Sequence, residues 1–265
     1  MIVAGIFWIL FGAPVTAPCQ DLVEELQGEM NRAQMAMEPE SKLSFIYQRA
    51  TSANDQCADN ESLAYLRLRS AELGRGATVG HQSAASLAEW QGLAQTLARK
   101  FPRSVRLGTI AARASGSVDD ARRAVSLDPS YAPAQVALAA ALISTDPTEA
   151  ITHLVAIRDL SVVADGHSVL ARARFAVHDL DGAEKAATSA IRRRSIDQIE
   201  PDARDPRPIS AAHEVLGLVF LAKRQFRKAA ANLELAAEDS TKARQILEDP
   251  PPELRPFLRR RRIRR

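Results

Sequence analysis

Across the second half of this 265-residue chain, a leucine followed by a small residue recurs, each time with an alanine-marked helix downstream. The clearest instance runs from Ser210 to Thr241. Leu216-Gly217 and Phe220 fall on a first helix, Ala222-Lys223-Arg224-Gln225 reads as a turn, and Ala229, Leu233 and Ala236 fall on a second helix. The stretch Ala164 to Ser195 repeats the arrangement with Leu170-Ala171, the polar turn His178-Asp179-Leu180-Asp181-Gly182, and then Ala183, Ala187 and Ala190. Upstream, Leu138-Ala139 and Leu142 precede Ala150, Leu154 and Ile157. Between them, Asp146-Pro147-Thr148-Glu149 has the order of an N-cap, a proline in the first helical turn and an acid near it. Ala150 and Ala183 are thirty-three residues apart, close to the roughly 34-residue length at which two helices and two turns make one stackable unit. The step from Ala183 to Ala229 is thirteen longer, and the excess falls in the Pro- and Asp-rich stretch Ser195 to Pro208, which reads as an inserted loop.

Close helix packing explains the residue choice. Gly217, Ala229 and Ala236 let two backbones approach, while Phe220 and Leu233 fill the space around them. This pattern resembles the tetratricopeptide family, in which a large-small pair and then an aromatic on one helix pack against small residues on the next. Ala121-Arg122-Arg123-Ala124-Val125-Ser126-Leu127-Asp128-Pro129 is similar to the end of one such unit. Its partner helix, Ser104 to Ala114, joined through Ser115-Gly116-Ser117, is shorter than the family pattern. The resemblance covers residues 103–248. It implies an all-α fold, a right-handed superhelix of antiparallel helical hairpins, with Thr241 to Leu247 as the helix that shields its open end behind the potential cap Ser240. Pro250-Pro251-Pro252 is then expected to end regular structure.

Composition agrees with helices. Aromatic residues make up 5% of the chain against 46% hydrophobic residues, a balance that favours close-packed helices over sheets. Residues 18–101 read as a helical region without a repeat register, with helices at Asp21 to Met37, Lys42 to Ala53, Glu61 to Leu73 and Ser83 to Lys100. Residues 102–248 hold the repeats, and 249–265 form a Pro- and Arg-rich tail.

Residues 1–17 read as an export signal. Met1 to Ala13 is an uncharged apolar run followed by a small-residue exit at Val15-Thr16-Ala17, and it falls short of the roughly 20 apolar residues of a membrane span. No Lys or Arg precedes the run and Pro18 follows the expected cut, so an uncleaved apolar helix stays open as the alternative. Thr16-Ala17-Pro18 before Cys19 does not match a lipoprotein motif. The two cysteines have a geometric use instead. If the chain folds back at Glu38-Pro39-Glu40-Ser41, Cys19 and Cys57 reach the same open end of one hairpin. A bridge there is worth on the order of 3–4 kcal/mol by chain-entropy reasoning in an oxidising, periplasmic or cell-envelope setting. Two unpaired core thiols are the other reading.

Catalytic patterns are missing where chemistry would need them. The histidines His81, His153, His167, His178 and His213 are scattered, and His213-Glu214 lacks a second zinc-ligating histidine because Gly217 takes that place. No phosphate loop, dinucleotide fingerprint or nucleophile elbow occurs. The adjacent pair His167-Ser168 on a helix points apart. The expectation is a non-enzymatic protein without metal or cofactor that binds another protein or peptide segment.

In the family, the first helices of successive hairpins line an inner groove that holds extended or helical peptides. The residues that periodicity leaves for that lining are Val136, Ala140 and Ile143; Ser168, Arg172 and Phe175; and Glu214, Leu218 and Leu221. They do not resemble the basic clamp with which some relatives hold a terminal carboxylate. The tail offers a second contact. Seven arginines lie in the last eleven residues, and without them the formal charge falls from +3 to −4. Phe257 to Arg265 therefore has the charge to meet an anionic membrane or nucleic acid, or to remain a solvated tail.

Overall fold

The computed structural model describes residues 17–35, 39–53, 56–77, 84–160, 163, 165–194 and 207–258. The expected export segment before Ala17, most of the inserted loop and the arginines from position 259 lie outside the described residues.

The described residues form thirteen α-helices and no strand. The N-terminal part contains α1 (Ala17–Met35), α2 (Pro39–Ser52), α3 (Glu61–Ala77) and α4 (Ala84–Lys100). The repeats begin with α5 (Val105–Ser115) and α6 (Val118–Leu127), then α7 (Ala132–Leu142) and α8 (Pro147–Ala156). They continue with α9 (Gly166–Ala176) and α10 (Leu180–Arg194), then α11 (Arg207–Ala222) and α12 (Phe226–Ala236), and close with α13 (Thr241–Glu248).

Local chemistry sets these boundaries. Ser104, Ser117, Asp146 and Ser240 each accept a hydrogen bond from a backbone N–H three residues on, opening α5, α6, α8 and α13. Asp179 does the same for Gly182 at the start of α10. In three of the four repeat hairpins the chain reverses through a residue in left-handed backbone immediately before the next N-terminal cap. Gly116 takes that place between α5 and α6 with φ 67°, His178 between α9 and α10 with φ 61°, and Arg224 between α11 and α12 with φ 58°. Asp179 N–H then bonds the carbonyl of Arg174, and Gln225 N–H that of Phe220. This is the six-residue closure that satisfies the last carbonyls of a helix ending in left-handed backbone.

The four repeat hairpins form two layers. The first helices α5, α7, α9 and α11 pack side by side in series, and each second helix packs against its own first helix and the first helix of the following unit. Among the described residues, the second helices share no comparable packing with one another. Helix packing between sequence neighbours of this kind is that of a helical solenoid. Ala121, Ala150, Ala183 and Ala229, each four residues after the start-of-helix cap, are all fully buried. On the facing helices, Gly217 lies so close to Leu233 that an added Cβ would sit 2.7 Å from its Cγ, and one added to Gly108 would sit 3.7 Å from the Ala124 Cβ.

Three buried clusters succeed one another along the chain. One joins α1, α2 and the start of α3 around Leu26, Ile46 and Leu66. A second joins α3, α4 and α5 around Leu68, Trp90 and Leu107. The third runs through the repeats to Leu254. A disulfide links Cys19 to Cys57, with Cα atoms 5.7 Å apart, so the two cysteines do meet at the open end of the α1/α2 hairpin. Regular structure does not stop at Pro250. A 3-10 turn at Arg255–Phe257 follows, because Leu254 enters the repeat core and Phe257 stacks on Phe226 at 6.5 Å between ring centroids.

Candidate protein-binding face

Counted from the small residues Ala139, Ala171 and Gly217, the nine expected lining residues occupy three equivalent rows on α7, α9 and α11. The first row is Val136, Ser168 and Glu214, three residues before the small one. Two of its three residues are buried. Val136 and Ser168 are each 1% exposed, and the Glu214 carboxylate accepts a 2.6 Å hydrogen bond from Ser240 Oγ. Ser240 also accepts from the Ala243 N–H, so Glu214 fastens the start of α13 to α11. Val136 and Ser168 therefore lie within the stack rather than on an accessible lining, while half-buried Glu214 is engaged by the capping helix.

The other two rows stay accessible. Ala140, Arg172 and Leu218 form one, with Arg172 exposed and its neighbours half-buried. Ile143, Phe175 and Leu221 form the next, half-buried and resting on the core. Because α7 packs on α9 and α9 on α11, these rows run across adjacent helices. The result is an apolar strip interrupted by one guanidinium.

Several polar contacts that sequence reasoning did not reach support this layer. His153 Nδ1 lies 2.8 Å from Gln135 Oε1 between α8 and α7, and His213 Nδ1 lies 2.8 Å from Asn232 Oδ1 between α11 and α12. Gln135, His167 and His213 are equivalent on the first helices, four residues before the small one, and His153 is equivalent to Asn232 on the second. Three of the five histidines are therefore placed by the repeat rather than scattered. The signal lay in their offsets from Ala139, Ala150, Ala171 and Gly217. Lys223, in the turn after α11, donates to Asp181 at 2.5 Å and to Glu184 at 2.7 Å. Its ammonium holds the Asp181 carboxyl below the usual carboxylate range, while the two acids raise the Lys223 ammonium above its ordinary value.

At the junction with the N-terminal part, Arg69 of α3 pairs with the buried Glu72. Arg113 of α5 reaches Glu72 at 3.3 Å and Asp165, which precedes α9, at 3.8 Å. Burying a carboxylate requires partners of this kind. A sequence hint existed, since Arg69 and Glu72 are one helical turn apart on a helix whose Leu66 and Leu68 are buried.

Among the described residues, no group of three His, Cys, Asp or Glu side chains could hold a metal ion, and no helix is long and apolar enough to cross a membrane. No protein-family model matches the chain, and no curated protein matches it in sequence.

Proposed function

We propose that this chain is a non-enzymatic, protein-binding adaptor or scaffold of the tetratricopeptide type, with its hairpins wound as a right-handed superhelix. Its ligand is another protein or a peptide segment, and binding needs no cofactor. The observation that carries this reading is the continuous layer of first helices, α5, α7, α9 and α11, on which Ala140, Arg172 and Leu218 together with Ile143, Phe175 and Leu221 stay accessible. Unlike scattered surface leucines, two parallel rows on adjacent helices give a ligand a contiguous apolar track. The Cys19–Cys57 disulfide is compatible with an oxidising compartment, and the reading places the mature chain in the periplasm or cell envelope.

Affinity capture from an envelope extract tests it. The wild-type chain is compared with an Arg172→Glu, Leu218→Asp double variant on the inner rows and a Val155→Asp, Leu235→Asp control on second helices, all of equal helicity. The proposal expects partners to be lost from the first variant and kept by the control. Equal retention by both variants overturns it.

A further inference from the structure

We propose that the inner face takes an apolar peptide segment carrying a side-chain carboxylate, and that Arg172 is the group that selects it. The inference rests on the reading of this face as protein-binding and adds the chemistry of what binds.

Among the described side chains, the other charged residues of the first helices have partners within the fold. Arg106 pairs with Glu61 at 3.5 Å. Arg113 pairs with Glu72 and Asp165, and Arg174 Nε lies 3.8 Å from Asp179. Glu214 holds Ser240. Helix α7 carries no charged residue at all. Arg172 differs from all of these: it is exposed and, among the described residues, has neither an ion pair nor a hydrogen bond from its side chain. Its row neighbours are Ala140 and Leu218, and Phe175 follows it by one helical turn.

A lone guanidinium amid apolar residues discriminates between ligands. An apolar segment that covered it without a counter-charge would strip its water and leave the charge unpaired, which is costly. A segment with a carboxylate at that point gains a charge-assisted hydrogen bond to the guanidinium instead. The same residue thus rejects neutral and basic segments while accepting acidic ones. Nucleic acid is a poor fit, because its affinity depends on several phosphate contacts and these rows offer one cation.

The span of the rows sets the size of the ligand. Packed helices lie about 8–10 Å apart, so the row from Ala140 through Arg172 to Leu218 covers about 16–20 Å. An extended segment of about five or six residues crosses that distance, as does a helix of about eleven to thirteen. The carboxylate belongs near the middle, with apolar side chains to either side.

A random dodecapeptide display library selected on the full chain tests this. The wild type, Arg172→Glu and Leu218→Asp are compared, with circular dichroism confirming equal helicity. On the wild type, enriched peptides should carry Asp or Glu between apolar residues. The best of them should bind Arg172→Glu at least about tenfold more weakly, and replacing its acid by Lys should restore binding to that variant. Enrichment of neutral or basic apolar peptides overturns the inference. So does an enriched peptide whose affinity falls with Leu218→Asp but not with Arg172→Glu, although the face itself then stands as the binding surface. If no peptide is enriched, or if neither substitution changes binding, the reading of the face falls along with the inference.

Discussion

His178 and Arg224 hold left-handed backbone where the α5/α6 turn uses Gly116, and a side chain there costs roughly 1–2 kcal/mol of local energy. Because glycine also loses more chain entropy on folding, Arg224→Gly is expected to stabilise the chain by about 0.5–1 kcal/mol in urea unfolding. At Gly217 the sign is opposite. A side chain there would run into the fully buried Leu233, so Gly217→Val should cost about 2–3 kcal/mol by the same measurement. Gly217 was legible in the sequence because its smallness recurs at Ala139 and Ala171. The strained turn residues were not, since neither is the glycine or asparagine that marks left-handed backbone. Val136 and Ser168 were misplaced for another reason. They share one helical stripe with Ala140 and Arg172, and periodicity alone cannot separate the part of a stripe that enters the stack from the part that faces solvent.

At the scale of elements, the two ends of the stack are held differently. Among the described residues α1 packs on α2 and α3, with Cys19, Leu26 and Met30 as its buried contacts, and the disulfide ties its start to the segment after α2. A Cys19→Ser, Cys57→Ser variant should lose about 3–4 kcal/mol of stability in this region. Hydrogen exchange should show α1 opening while α7 to α12 keep their protection. The opposite end depends on Leu254, fully buried beyond the prolines. Leu254→Ala should cost about 2–4 kcal/mol in thermal or urea unfolding. Its role escaped the sequence reading because three consecutive prolines end a helix without preventing the chain from packing. The bond from Lys223 to Asp181 links α10 to the turn after α11. Since folding lowers the Asp181 pKa, its contribution is present above the ordinary carboxylate range and fades as pH falls through the lowered value. An Asp181→Asn variant should therefore be less stable than wild type at neutral pH, with the gap closing in acid, as followed by urea midpoints across pH.

Viewed as a whole molecule, the chain passes from one buried cluster to the next, and each hairpin rests chiefly on its neighbours. That is how a stack grows without a single central core. The helical class and the hairpin order were legible from alanine and glycine spacing, and the cysteine pairing from a turn midway between the two residues. The junction of Arg69, Glu72, Arg113 and Asp165 was not, because it joins residues nearly a hundred positions apart in the sequence. The same layering gives the proposed function its geometry: the first helices present accessible rows side by side, while the second helices present isolated apolar residues such as Val155 and Leu235. A photo-crosslinking amino acid placed singly at positions 140, 172 and 218, and at 155 and 235 as controls, tests this division in cells producing the full chain. If the inner row is the binding surface, a common crosslinked protein partner appears from 140, 172 and 218 and none from 155 or 235; a partner captured from 155 or 235 but not from the inner row would overturn that assignment.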